Sequence, residues 1–481
     1  MNISKGSTLI LTAFVLASFL NYIFYLVLAW LLKPSEYGIV GVFLAFLMIL
    51  SFILTSGTPQ TVMKRISCGE NVESALRNGI LANLLLGIII AILFYVSLTI
   101  SMSYKAITLL LSFVVLITSI SMVLQHALLG LFKFKPYAFI AVANPFFKTF
   151  FPIAFVLAGF SVFGVFAGIL ITAILTLLLS LFFVRITFWK TKNALSLSFF
   201  SQSGSMLLGT LSIMFLMNID IIAVKFLAMG SAETLAGYYQ SAIVLAKFPV
   251  WITWALMMSV FPYISKNSGD AKTLISASLR YVLAFLIPVS IALIIAPESY
   301  LSMLFPEAYL IASDALRTLA IGMTFLALAI VLGRSFQAEG KEKHSAISLT
   351  LAVIVQIVLL TLFVPKYGIV GGAAATTIAS LSGLIPLMGS YIKDYRSELD
   401  LRIMISYSIL VAIIYWLPKN NKLEIVTATI AAGAVYLLSL FVLRIITAKD
   451  VETIISGIMP KESYPVKKVM GLVSALNGIG K

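Results

Sequence analysis

Cysteine is nearly absent. Cys68 stands alone in 481 residues, so no intramolecular disulfide can form, and the residue reads as a bystander in a loop. Histidine is almost as scarce: His126 and His344 are the only two, and no His/Cys pair has metal-ligand spacing. There is no Walker-type phosphate loop and no large polar domain, which excludes an ATP-driven pump unless a partner subunit supplies the motor. No constellation suggests an enzyme or a resident cofactor. Charge is sparse at 11%, with 18 acids against 33 bases, and acids are rarest inside the apolar stretches.

What fills the chain is apolar surface: 61% hydrophobic residues and a mean hydropathy of +1.09. A soluble fold cannot hide that much, so the bilayer is the solvent and the spanning elements are helices. About 20 apolar residues cross the hydrocarbon core. By that measure there are fourteen candidate spans, from 7–32 to 423–446. The first span is too long for a signal-peptide core and no small-residue cleavage site precedes Lys33-Pro34, so it reads as a retained helix.

The net charge of +15 would suit nucleic acid, but its placement points elsewhere. With the N-terminus cytoplasmic, 24 of the 33 basic residues fall in inner loops and ends and 7 in outer ones. That asymmetry fits the positive-inside rule, an even number of helices and both termini in the cytoplasm, with no nucleic acid partner needed.

Residues 163–177 read FGVFAGILITAILTL and residues 367–381 read YGIVGGAAATTIASL, at an ungapped offset of 204. Gly164 and Gly168 thereby meet Gly368 and Gly372, and Phe132 meets Phe336. The repeat pairs spans 5–6 with spans 11–12, so the period is six helices. Six is even, so both halves enter the membrane the same way. The expected organisation is an N-lobe of six helices (1–192), a parallel C-lobe of six (193–400), two added helices (401–446) and a cytoplasmic tail (447–481). A fainter echo aligns Asn21 and Gly38 with Asp220 and Gly237.

Two basic residues fall in no loop. Lys148 is at the middle of span 5 and Lys247 at the middle of span 8. A lysine at the bilayer centre costs about 2.5–3.5 kcal/mol, and snorkelling from there is hard. Each is either neutral or paired with a structural carboxylate, or it faces an anionic substrate in a wet cleft between the halves. Asp220 in span 7 is the only acid deep in the membrane, so one carboxylate cannot neutralise both; its alternative role is to bind a coupling proton or sodium ion. Lys247 shares a helical face with Gln240, Trp251 and Trp254, a pattern that suits stacking on sugar rings, while tryptophan also anchors at interfaces or simply packs. Lys148 shares its face with Asn144 and Pro152; Pro145 and Pro152 should bend span 5. Asn21 belongs to a polar stripe with Ser18 and Tyr25, Gln356 reads as a helix-bridging amide, and Lys225 as a residue that snorkels to the outer surface. Pro59 and Pro262 are candidate bending points.

The segment from Phe19-Leu20-Asn21-Tyr22 through Leu32-Lys33-Pro34-Ser35-Glu36-Tyr37-Gly38 resembles the first-helix signature of the polysaccharide-export flippases. Phe336-Gln337-Ala338-Glu339-Gly340-Lys341, followed by Val364-Pro365-Lys366-Tyr367-Gly368, resembles their second-half signature, as does Asp220 followed by Gly237-Tyr238. The family is the Wzx-like branch of the MOP superfamily, which also holds the MATE drug exporters and the lipid II flippases. The resemblance implies twelve core helices in two lobes, alternating access, and a lipid-linked oligosaccharide as substrate. It implies membrane lipids and the glycosyltransferases of the same pathway as partners. Two central lysines, at 148 and 247, favour an anion such as a polyprenyl phosphate over the cationic drugs of a MATE antiporter; a non-transporting scaffold of a glycan-assembly complex is the third reading. Lys148 falls opposite Ala352 at the 204 offset, so the substrate reading rests on what the halves do not share.

Overall fold

The computed structural model describes residues 3–101, 104–184, 204–251, 253–254, 257 and 271–395, with isolated positions between 431 and 436. Apart from those positions, the two added helices expected over 401–446, the tail beyond them, and Pro262 lie outside the described residues. Every regular element among the described residues is a helix. Among the described residues nine stretches are long and apolar enough to cross a membrane. Two of the nine, Phe134–Val184 and Glu342–Asp394, are broken near the middle and supply two crossings each. The protein is a multi-pass helical membrane protein, and its surface fits that solvent: Leu93, Ile100, Leu157 and Phe182 are all more than half exposed.

The helices are α1 (Ile3–Leu31), α2 (Pro34–Ser56), α3 (Thr58–Ser67), α4 (Val72–Ser101), α5 (Lys105–Gly130), α6 (Phe134–Phe155), α7 (Ser161–Val184), α8 (Gly204–Leu227), α9 (Ala232–Ala246), α10 (Ala271–Ile295), α11 (Pro297–Leu304), α12 (Ser313–Ala338) and α13 (Glu342–Tyr395). They form two compact units. The first holds residues 12–226 with 231–237; the second holds 1–11, 227–230 and 238–481. By contact, then, α8 belongs with the first six crossings.

Local chemistry explains the Lys33–Gly38 signature. Pro34 takes the first helical position of α2, where its missing N–H is no loss. Glu36 accepts a bond from the Lys33 backbone N–H at 3.0 Å and another from the Ser161 hydroxyl at 2.7 Å, tying the start of α2 to the start of α7. Gly38 lets α2 touch α9 backbone on backbone. A Cβ on Gly38 would strike the Glu233 carbonyl and the Gly237 N–H; a Cβ on Gly237 would strike the Pro34 carbonyl. Each glycine faces the carbonyl four residues before the other, so the faint echo at this spacing is a two-fold crossing.

The break inside each long stretch has nearly the same dihedrals: Ser161 at φ 45°, ψ −136° and Gly368 at φ 55°, ψ −131°. Their separation is 207 residues. The turns that end α5 and α12 also match. Phe132 and Lys133 donate to the carbonyls of Leu129 and Leu128; Gly340 and Lys341 donate to those of Gln337 and Phe336. There the separation is 208. The one-residue difference falls where the first unit carries a π-helical turn, Val156–Phe160, which is one residue looser than an α-turn. The ungapped 204 register is therefore one helical turn out. Gly164 packs against Phe155 and Phe160, and its geometric counterpart is Gly371 against Phe363 and Tyr367. Gly368 is the break itself. Phe132 is a left-handed cap at φ 55°, whereas Phe336 is buried inside α12. A slip of three or four residues keeps small residues on the same face, which is why sequence similarity settled on it.

The expected bend at Pro145 and Pro152 is not where the helix breaks: α6 runs through both, and the interruption follows at the π-turn. Near Pro59 the break is at Gly57, with Pro59 in the first turn of α3.

The crossing of α2 and α9 makes a direct prediction. Replacing Gly237 with valine forces the two backbones apart, and such overpacking costs about 1–3 kcal/mol. The purified G237V protein should melt at least about 3 °C below wild type; an unchanged melting temperature would contradict the crossing.

Candidate functional site

Lys148 sits two turns before the π-turn on α6. Its ammonium donates to Asn21 Oδ1 on α1 at 3.1 Å. It also lies 4.9 Å from the centre of the Phe24 ring and 5.7 Å from that of Tyr25. Cation–π contacts of this kind hold a charge by about 0.5–2 kcal/mol without neutralising it. Thr149 binds α6 to α1 beside it, donating to the Leu20 carbonyl at 3.2 Å and to the Pro145 carbonyl at 2.8 Å. Asn21 is fixed by its own amide, which donates to the Ala17 carbonyl at 2.9 Å, leaving its oxygen turned to the lysine. Among the described residues no carboxylate forms an ion pair with Lys148. Among the described residues, then, the Lys148 amine lies against one neutral acceptor and two ring faces.

Counted from the matched turns, Lys148 falls opposite Gln356, since 208 applies before the π-turn; the pairing with Ala352 does not hold. Gln356 is fully buried and donates to Thr376 at 3.0 Å, bridging the two legs of α13. One half thus carries a cation where the other carries a helix-bridging amide. Asn144, expected beside Lys148, instead donates to Thr176 on α7 at 3.0 Å.

In the second unit Lys247 and Gln240 are buried, at 8% and 5% exposure. The helix stops at Ala246 and resumes at Phe248, so Lys247 is at an interruption. Pro249 is the physical reason, for it has no N–H to offer the Leu245 carbonyl. The Lys247 carbonyl still accepts from the Trp251 N–H at 3.2 Å. Trp251 and Trp254 follow on the resumed helix; Trp254 lies under the Arg334 guanidinium, 4.7 Å from its ring centre. Arg334 is one of the 24 basic residues that loop charge assigns to inner loops and ends. Asp220, in the first unit, is fully buried on α8 and accepts from the Ile221 N–H at 2.9 Å. Lys148 and Lys247 belong to different units.

Lys225 belongs to a triad with Glu233 and Tyr104, neither of which the sequence singles out. Lys225 pairs with Glu233 at 2.7 Å, and Tyr104 donates to the same carboxylate oxygen at 3.0 Å. Lys225 therefore has an ion-pair partner, which the expectation that it snorkels to the outer surface does not name. Burial pushes the Glu233 carboxyl up, but hydrogen bonds from Lys225 and Tyr104, with the Lys225 charge, outweigh it and hold it below the usual range. Burial, then the bond to Glu233 and its charge, push the Tyr104 phenol to about 12. No local spacing announces this triad, since Tyr104 and Glu233 lie 129 residues apart.

Comparison with known proteins places the fold and family. Residues 3–268, more than half of the chain, match the model of the polysaccharide biosynthesis protein family. A probable low-salt glycan biosynthesis flippase, Agl15 of Haloferax volcanii, is 22% identical over 32% of this chain and 34% of its own length. A putative O-antigen transporter of Shigella flexneri is 31% identical over 33% of this chain and 39% of its own. The chain thus spans little more than a third of each of these curated relatives. Among solved structures, the lipid II flippase MurJ in an inward closed conformation superposes with a TM-score of 0.68 at 20% identity, covering 89% of this chain and 98% of that one.

The triad carries a pH prediction. A carboxyl with a depressed pKa contributes stability above its unfolded value and loses it as pH falls through the folded one. The melting-temperature advantage of wild type over Glu233→Gln should be present at neutral pH and be lost as pH falls below the ordinary glutamate range; a difference independent of pH would contradict the ion pair.

Proposed function

The chain belongs to the polysaccharide biosynthesis protein family, and from that membership we propose that it is a flippase for lipid-linked oligosaccharide. The substrate is a glycan on a polyprenyl or dolichyl phosphate carrier, moved across the cell membrane by alternating access of the lobes 1–192 and 193–400. Both termini are cytoplasmic, where the basic loops concentrate. The glycosyltransferases that build the glycan are its pathway partners.

The observation that carries this reading is Lys148. An ammonium held in mid-helix by Asn21 and two aromatic rings, without a carboxylate among the described residues, is suited to a phosphate that cannot cross hydrocarbon bare. The names of the relatives support it: a glycan biosynthesis flippase and an O-antigen transporter. Asn21 positions the ammonium; Lys247 and Gln240 supply polar groups in the second unit, and Trp251 and Trp254 offer faces for sugar rings. Asp220 is assigned the coupling proton or sodium ion. A MATE-type cation antiporter is the poorer reading, because a cation at Lys148 repels a cationic drug.

Two measurements test it. In proteoliposomes loaded with a labelled lipid-linked sugar, Lys148→Ala should flip at least about tenfold more slowly than wild type at equal reconstitution, a barrier change of about 1.4 kcal/mol. Lys247→Ala should also slow; full activity in both variants contradicts the cationic site. Asp220→Asn should lose dependence on an imposed ion gradient, and unchanged gradient dependence would remove it from coupling.

A further inference from the structure

Arg334 lies four residues before the end of α12, inside a stretch otherwise apolar enough to span a membrane. A guanidinium has five N–H donors. Among the described residues Arg334 spends them on one acceptor, Gln337 Oε1, at a long 3.4 Å, and rests its plane on Trp254. No carboxylate among those residues pairs with it. Gln337 is one turn along the same helical face and is only 6% exposed. Its oxygen faces the guanidinium, while its amide nitrogen is buried with no hydrogen-bond partner among the described residues. A buried donor left unmet is costly, and here it stands beside a cation with donors to spare. The two point to a ligand that only accepts.

We propose that Arg334, Gln337 and Trp254 form a second anion subsite, in the second unit, that takes a phosphoryl group of the lipid-linked substrate. Arg334 presents a fork to two phosphate oxygens, Gln337 donates to a third acceptor, and Trp254 holds the guanidinium plane in place from behind. Loop charge assigns this end of α12 to the cytoplasm, so the subsite is where a substrate made inside is first met. It rests on the flippase reading and adds to it a docking step separate from Lys148.

The test uses the full-length protein in phosphatidylcholine nanodiscs, titrated with farnesyl diphosphate as the probe and followed by thermophoresis. Arg334→Ala and Gln337→Leu should each weaken binding about tenfold or more, as expected for a bond to a charged group. Arg334→Lys should recover only part, since a point charge replaces a fork. Melting temperatures report folding; if R334A fails to fold, Q337L, which keeps the guanidinium, decides alone. Wild-type affinity in a folded Q337L or R334A protein overturns the subsite. If added phosphatidylglycerol competes with the probe only when Arg334 is present, while the affinity of R334A in pure phosphatidylcholine equals wild type, the site holds bilayer headgroups and the proposal fails. Loss of binding in Lys148→Ala but not in R334A removes this subsite and leaves the flippase standing. A wild-type protein that binds no prenyl diphosphate overturns both.

Discussion

In hydrocarbon, every backbone N–H and C=O must find a partner inside the protein, and the rest of this structure follows from that requirement. Helices satisfy it along their length, so the problem moves to their ends and interruptions. There the chain uses a small set of devices. Schellman-type turns at Gly69, Phe132 and Gly340 close carbonyls at three helix ends. Glu36 caps α2 and holds Ser161 at the opposite break. Glycines allow backbones to touch where α2 meets α9 and where α7 meets α6, with Gly168 against Pro152.

The same requirement makes polar side chains at depth informative. Most are consumed by the scaffold: Asn144 and Gln356 each bridge two crossings, Asn83 reaches the Ser119 carbonyl at 2.7 Å, and Thr324 meets Ser290 at 2.7 Å. Against that background Lys148 and Arg334 differ. Each holds a full charge against an amide oxygen and an aromatic face, an arrangement that orients a cation and leaves its charge available. Two related halves can share a frame and still differ at such points, and the contrast of Lys148 with Gln356 is one of them.

Much of this was legible in the sequence because helix spacing and apolar length are local signals. The apolar crossings among the described residues, the recurrence of a hairpin in each half, and the mid-span placement of Lys148 all come from them. The repeat register was misread by one turn, since a 3.6-residue period makes neighbouring registers look alike and small residues recur at four. The π-turn, a single added residue, left no compositional mark. Tyr104 with Glu233, and Arg334 with Trp254, depend on segments far apart in the chain, which periodicity cannot join. Arg334 was hidden for a further reason: near a helix end a basic residue reads as an interfacial charge, and only its neighbours reveal otherwise.

The flippase proposed above moves an anion carried by a lipid. Wild-type protein reconstituted in vesicles can be offered a fluorescent polyprenyl-diphosphate oligosaccharide and, in parallel, a fluorescent organic cation. The glycolipid should become accessible at the opposite leaflet while the cation stays outside. Movement of the cation with no movement of the glycolipid would contradict that proposal.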